Sequence, residues 1–401
     1  MVSIVKKMDE LNRNEEKALK CLWLLIFLHF KKINTEELGE YVLLNEENYG
    51  FGKKNDFFPK NSEEMGHFDN KNVSKKLLKE RHILSCFFSL YDVFWEMVKM
   101  DHPDVVLLRF LRARKWDTSK SFIMLATTVY WRKEIGVEEI LRKGEAGAIE
   151  TGDDAFMKQL RLGKSFIQGV DRENRPICYI RTHLHRAGEQ PDLTIHQYTI
   201  LLMESARLMI TYPVQTATIL FDLTKFSLKN MDYIPIKFLI KCFEAHYPES
   251  LGICIIHKAP WVFQGIWKVI KTWLDPVVVK KVCFTNSNED LEVYIKDTEI
   301  IKELGGKKDW EYKYIEPKEN ENIKMQDILT KERLLLERKN IINSFEQLTI
   351  KWIKESDIAQ SDLLLEQRNF LAKNIESNYW QLDPYIRART FYDRTGSIFQ
   401  A

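Results

Sequence analysis

The chain runs to 401 residues, 45% of them apolar and 12% aromatic, which fits roughly two to three domains, supports a sizeable core and excludes a disordered chain. Sixty basic residues stand against fifty-eight acidic ones; a net charge of +2 excludes wholesale nucleic-acid binding and makes any basic surface a local one. Cys21, Cys86, Cys178, Cys242, Cys254 and Cys283 form no Cys-x-x-Cys pair and read as hydrophobes in a reducing compartment.

Residues 1–85 form an N-terminal extension without a pattern that gives it a role. Within it, residues 21–30 (CLWLLIFLHF) imitate a membrane signal, but ten residues cannot span a bilayer, and Asp9, Glu10, Glu15 and Glu16 spoil a secretory leader. A packed helix is expected there, with a peripheral membrane contact as the alternative. Residues 46–72, rich in Asn, Gly and Lys and lacking periodicity, read as a mobile linker. A helical subdomain follows over 86–155. In residues 103–112, Leu107, Phe110 and Leu111 fall on one side of a helix, with Arg109 and Arg112 opposite. Asp117, Thr118 or Ser119 caps a second helix that buries Phe122, Leu125, Ala126 and Val129. Arg114-Lys115-Trp116 puts two cations at the junction.

From 156 to 315 the pattern turns α/β. SFIQGVDRENRPICYI, with Asp171, Asn174 and Pro176 between apolar runs, predicts an antiparallel hairpin at a sheet edge. Residues 177–182, 217–222, 252–257 and 282–284 read as buried strands. Helices over 195–210, 233–246 and 261–274 separate them, so right-handed crossovers build a mostly parallel sheet. Residues 247–284 are nearly apolar and carry few charges, among them Glu249 near the start and Lys281 near the end. That pattern predicts a hydrophobic chamber with a small polar address. Within it Phe263, Ile266, Trp267, Ile270 and Leu274 recur at helical spacing until Asp275-Pro276 stops the helix. Residues 316–401 form a helical extension, where the stripe Leu334, Ile341, Phe345, Leu348, Trp352 is expected to pack on its own domain rather than on a partner.

Three other constellations carry little. Gly163-Lys164-Ser165 resembles the end of a phosphate-binding loop, but Lys158 stands where that loop needs glycine. His183 and His185 lack a further metal ligand at useful spacing, so no metal site is expected. No Gly-x-Ser-x-Gly elbow supports a lipase, and no enzyme is expected.

LLRFLRARKWD at 107–117, HYPESLG at 246–252, HKAPWVF at 257–263 and WLDPVVVKKV at 273–282 together resemble the CRAL-TRIO family of lipid-exchange proteins, in particular the non-classical fungal phosphatidylinositol transfer proteins with a long C-terminal extension. The resemblance covers about residues 86–314. It implies the CRAL-TRIO fold, an α/β domain whose mostly parallel sheet floors a lipid cavity, with residues 261–274 as gate helix through Phe263, Ile266, Trp267 and Ile270. It further implies a headgroup site of Arg114, Lys115, Glu249 and Lys281, which Asp275 and Arg109 join. The implied ligand is phosphatidylinositol, with no cofactor. The implied role is a cytoplasmic monomer that exchanges this lipid at endosomal, Golgi or endoplasmic-reticulum membranes, or presents it to a lipid kinase or phospholipase. The alternative is a lipid-sensing scaffold whose bound ligand, phosphatidylinositol or a sterol precursor, switches partner contacts. One departure stands out. Aligned at Asp222, Ala217 and Ile219 occupy positions where choline-lipid-binding members carry small hydroxyl residues, while Thr216 and Thr218 are displaced to the opposite face, so little or no phosphatidylcholine transfer is expected.

Overall fold

The computed structural model describes residues 11–32 and 90–398. The expected linker at 46–72 and Cys86 lie outside the described residues. Two compact units emerge. One joins the described residues up to Ile135 to Glu332–Gln381; the other takes Gly136–Lys331 and the chain from Leu382. Both units are therefore discontinuous in sequence, each built from two stretches of chain.

The first unit is helical. Helix Arg13–His29 starts at Asn12, whose side chain accepts from the N–H groups of Asn14 and Glu15 while Glu15 accepts from the Asn12 N–H. Leu22, Trp23, Ile26 and Phe27 are fully buried. Residues 21–30 thus form a core helix, and the alternative of a membrane contact falls away; among the described residues no helix is long and apolar enough to cross a membrane. Helix Pro103–Ala113 buries Leu107, Phe110 and Leu111 as its spacing predicts. Asp117 caps the next helix, Thr118–Ile135, by accepting from the Lys120 N–H at 2.9 Å. Leu334, Phe345 and Trp352 of helix Ile328–Lys354 are buried, and Ile341 and Leu348 pack against the same core, so the C-terminal stripe is core as expected. At its centre Asp104 accepts from Trp23 Nε1 and from Arg368 Nη2, both at 2.6 Å, and the Arg368 guanidinium lies 4.2 Å from the Trp352 ring centroid.

The second unit carries a five-stranded sheet: β1 Ser165–Val170, β2 Pro176–Arg181, β3 Ala217–Asp222, β4 Leu251–His257 and β5 Val282–Thr285, in that spatial order. β1 and β2 form the expected antiparallel hairpin, and every other pairing is parallel. Helices Asp192–Met209, Tyr233–Lys241 and Phe263–Lys271 make the crossovers. At the end of the chain Arg387 and Arg389 each bridge Asp383 and Asp393, and the Tyr392 hydroxyl accepts from the Ile167 N–H of β1 at 3.1 Å.

Three expectations need correction. The helix expected over 233–246 changes pitch: after Lys241 the segment Cys242–His246 forms a wider π turn, closed by the Tyr247 N–H on the Cys242 carbonyl. The gate helix is Phe263–Lys271, shorter than 261–274. Tight turns flank it, with Phe263 N–H bonded to Pro260 O at its start and Trp273 N–H to Ile270 O at its end. Finally, β5 is an edge strand instead of a buried one, and Phe284 is 46% exposed. Of the motifs set aside, Gly163 (φ 60°) ends helix Asp154–Leu162, and His185 Nε2 lies 3.0 Å from the Asp232 carboxylate.

Candidate functional site

Side chains alternate across a strand, so the register sorts the sheet into two faces. Cys178 of β2, Ile219 of β3, Cys254 of β4 and Val282 of β5 form one row on a single face, with Phe221, Ile256 and Phe284 two residues on. Phe221, Cys254, Ile256 and Val282 pack with Ile236 and Ile240 from helix Tyr233–Lys241 and with Phe263, Ile266 and Ile270 from the gate helix. This apolar face is the one expected to floor a chamber, and helix Phe263–Lys271, the expected gate, packs against it. Trp267 is half-buried and meets Phe284 edge-on at 5.5 Å, as Phe263 meets Phe226 at 6.0 Å. Burial pushes the Cys178 and Cys254 thiols up to about 12, which keeps them neutral and unreactive. Thr218 lies on the other face and donates to Asp171 Oδ2 at 2.6 Å, leaving Ile219 as the β3 contribution to the floor beside Ala217.

Both ends of the gate are held. Lys258 takes a left-handed backbone (φ 52°) ahead of Ala259-Pro260, a conformation rare outside glycine. At the far end Asp275 Oδ1 accepts from the Val277 N–H at 2.7 Å and caps the short helix Pro276–Val279, while the Asp275 N–H donates to Glu244 Oε1 at 2.9 Å. Asp275 thus serves as a cap and tether, with its side chain exposed.

Glu249 and Lys281 come together at the amino-terminal ends of β4 and β5. Lys281 Nζ lies 3.8 Å from Glu249 Oε2 and donates to the Leu251 carbonyl at 2.8 Å. Their side chains are 23% and 32% exposed for Lys281 and Glu249, so the pair is loose and partly open, where the sequence suggested a buried one. Neighbours fix the turn that presents Glu249. Tyr247 OH donates to Glu204 Oε1 at 2.8 Å, the Ser250 hydroxyl donates to the Tyr247 carbonyl, and Glu249 itself is left-handed with φ 53°. A non-glycine residue held there stores of order 1 kcal/mol of strain, a cost that persists only where the surroundings over-determine it.

Arg109, Arg114 and Lys115 belong to the helical unit. Helix Pro103–Ala113 ends with the Trp116 N–H on Leu111 O at 2.7 Å and the Lys115 N–H on Arg112 O at 3.0 Å, so Lys115 (φ 52°) sits where glycine usually closes a helix. That geometry turns Lys115 outward, exposed, while Arg114 is half-buried and donates to Ala113 O. Arg109 is half-buried on the same helix. The sequence reading missed Phe226, Glu244 and the Tyr233–Trp273 contact at 5.2 Å, because partners brought together only by the crossovers leave no local signal.

Comparison with known proteins matches this architecture. The family described as CRAL/TRIO domain matches residues 160–306, and the CRAL/TRIO N-terminal domain matches residues 58–127, reaching back beyond the 86 expected from the motifs. A CRAL-TRIO domain-containing protein of Schizosaccharomyces pombe is 48% identical over 307 residues, 76% of this chain and 68% of its own length. The phosphatidylinositol transfer protein CSR1 of Eremothecium gossypii is 47% identical over 307 residues, covering 76% of this chain and 70% of its own. The crystal structure of Sfh5 overlays with a TM-score of 0.44 at 17% identity over 61% of this chain and 91% of that one, a likeness too slight to bear on the site. The chain belongs to the CRAL-TRIO family.

Proposed function

We propose that this protein takes phosphatidylinositol into the chamber and exchanges it between membranes, or presents it to a lipid kinase or phospholipase, without covalent chemistry. The observation that carries this reading is an apolar sheet face roofed by Phe263, Ile266 and Ile270, with a loose, partly open Glu249–Lys281 pair at the start of β4 and β5. Sheltering two acyl chains, about thirty methylenes at roughly 0.8 kcal/mol each, is worth over ~20 kcal/mol against water. Such a chamber must match the bilayer interior, so exchange is nearly isoenergetic and only its barrier is lowered.

Glu249 offers an acceptor and Lys281 a donor to inositol hydroxyls, with Asp275 in a supporting role; Arg114, Lys115 and Arg109 of the helical unit are cations of the kind a phosphodiester takes. The neutral thiols on the floor fit a carrier better than an enzyme. Identity of 47% to a relative named as a phosphatidylinositol transfer protein favours the inositol lipid. The Ala217 and Ile219 side chains, with the Thr218 hydroxyl turned to Asp171, favour little phosphatidylcholine and leave room for an apolar second ligand such as a sterol precursor. In this reading the protein works as a cytoplasmic monomer at endosomal, Golgi or endoplasmic-reticulum membranes. Lipid extraction from the purified protein, followed by vesicle-to-vesicle transfer, tests it. Phosphatidylinositol that is neither co-purified nor transferred overturns the reading, whereas a loaded protein that does not transfer assigns it to lipid sensing.

A further inference from the structure

The side of the gate that faces away from the chamber has its own chemistry. With Phe263, Ile266 and Ile270 turned inward, a helix advancing about 100° per residue carries Gln264, Lys268 and Lys271 on the opposite side. Residues 258–284 hold five lysines and a single acid, Asp275. Lys258, Lys268, Lys271 and Lys280 are exposed, and among the described residues none of the four has a carboxylate partner. In the same segment Trp261, just ahead of the helix, is 84% exposed, and Val269 and Val277 are 42% and 54% exposed. A soluble surface has little use for a naked indole in a segment whose exposed lysines have no carboxylate partner.

We infer that this outer face seats the closed protein on an anionic phospholipid bilayer, with Trp261 at headgroup level and the four lysines reading the negative surface charge. The inference rests on the transfer function proposed above and names the surface that the carrier recognises. Indole is at home at the boundary between hydrocarbon and water, lysines keep their charge in water while their stems cover apolar surface, and attraction to anionic lipid fades within a Debye length. A bilayer fits better than an acidic polypeptide because the same element roofs the lipid chamber, so docking here brings the entrance to the source of its ligand. The inner apolar stripe is covered in this closed form, so charge and Trp261 make the first contact and Phe263 and Ile266 act afterwards.

The test is co-sedimentation of the full chain with vesicles of phosphatidylcholine, with and without phosphatidylserine. Wild type is expected to bind the serine-containing vesicles and to let go as salt rises. Lys268→Glu with Lys271→Glu should weaken that binding roughly hundredfold, and Trp261→Ala roughly tenfold. Extracted phosphatidylinositol should be unchanged in both, because these side chains face away from the chamber. Equal binding to neutral and anionic vesicles, or wild-type binding by the charge-reversed protein, overturns the inference, as does binding to polyglutamate without binding to vesicles. Should the double variant fail to fold, the salt dependence of wild type and the Trp261→Ala protein decide the matter. Charge-dependent docking by a protein that yields no phosphatidylinositol sinks the transfer reading alone; a loaded protein indifferent to surface charge sinks the docking alone.

Discussion

Glu249→Gly separates function from folding at the polar address. The Glu249–Lys281 contact is long, at 3.8 Å, and its two side chains are 32% and 23% exposed, so its loss costs at most about 1 kcal/mol. Glycine at φ 53° recovers about 0.5–1 kcal/mol of the strain held by a non-glycine residue. The two effects nearly cancel, and with roughly 2–4 °C per kcal/mol for a unit of this size the melting temperature should move by no more than about 3 °C. The ligand feels the change more. An inositol hydroxyl left without its acceptor forfeits about 1–3 kcal/mol, a loss of roughly fivefold to a hundredfold in transfer at limiting lipid. Transfer of labelled phosphatidylinositol between vesicles, read beside thermal melts, makes the comparison. Wild-type transfer by the folded variant refutes the headgroup role, and a melting temperature lowered by more than about 10 °C says that the carboxylate is structural.

Lys281→Ala should also abolish phosphatidylinositol transfer while costing about 1–2 kcal/mol, from the loose pair and the bond to Leu251 O; denaturant melts with a transfer assay check both. Phe263→Asp or Ile266→Asp should slow exchange of a fluorescent lipid more than it lowers the amount retained, since each prises the gate from its floor; equal exchange rates count against a gating role. Wild type should transfer phosphatidylinositol with little phosphatidylcholine, and Ala217→Ser with Ile219→Thr should raise the choline lipid; robust choline-lipid transfer by the unmodified chain refutes the assignment of the β3 floor. At the chain end, burial pushes the Asp393 carboxyl up, but hydrogen bonds and charge from Arg387, with Arg389, hold it down to about 2. A carboxyl depressed in the fold stabilises fully above its unfolded value of about 4 and progressively less as pH falls toward 2. Melting temperature should therefore fall over that window, and Asp393→Asn should flatten the fall; parallel curves refute it.

Much of this arrangement is legible in the chain. The parallel strands announce themselves because both their faces are covered and they read as short apolar runs, and Phe263, Ile266 and Ile270 reveal the buried face of their helix by spacing alone. Glu249 and Lys281 are found as isolated charges in apolar sequence, and they do meet. Their openness is illegible, since exposure depends on what crosses the strand ends. The half-exposed β5 is hidden for the same reason: VCF looks like any buried strand until its neighbour proves to be on one side only. The π turn at Cys242–His246 and the left-handed Lys115, Glu249 and Lys258 leave no trace either, because tertiary contacts impose these conformations against local preference.

The splitting of the helical core across the sequence sets a timetable for synthesis. Arg368 is made after the whole of Gly136–Lys331, so at roughly 5–20 residues per second the Asp104 carboxylate waits on the order of ten seconds to a minute for its cation. Throughout that interval the core around Arg13–His29 and Pro103–Ala113 has Phe122, Leu125 and Val129 but still lacks Ala372 and Ile375, while the sheet segment already has all five strands. The five strands are thus made before the helical core is complete, while the sheet unit itself still awaits the chain from Leu382, whose Tyr392 hydroxyl accepts from Ile167 of β1. A message broken before the codon for Arg368 releases a chain with all five strands and a helical core that lacks its central cation, a substrate for chaperones and proteases.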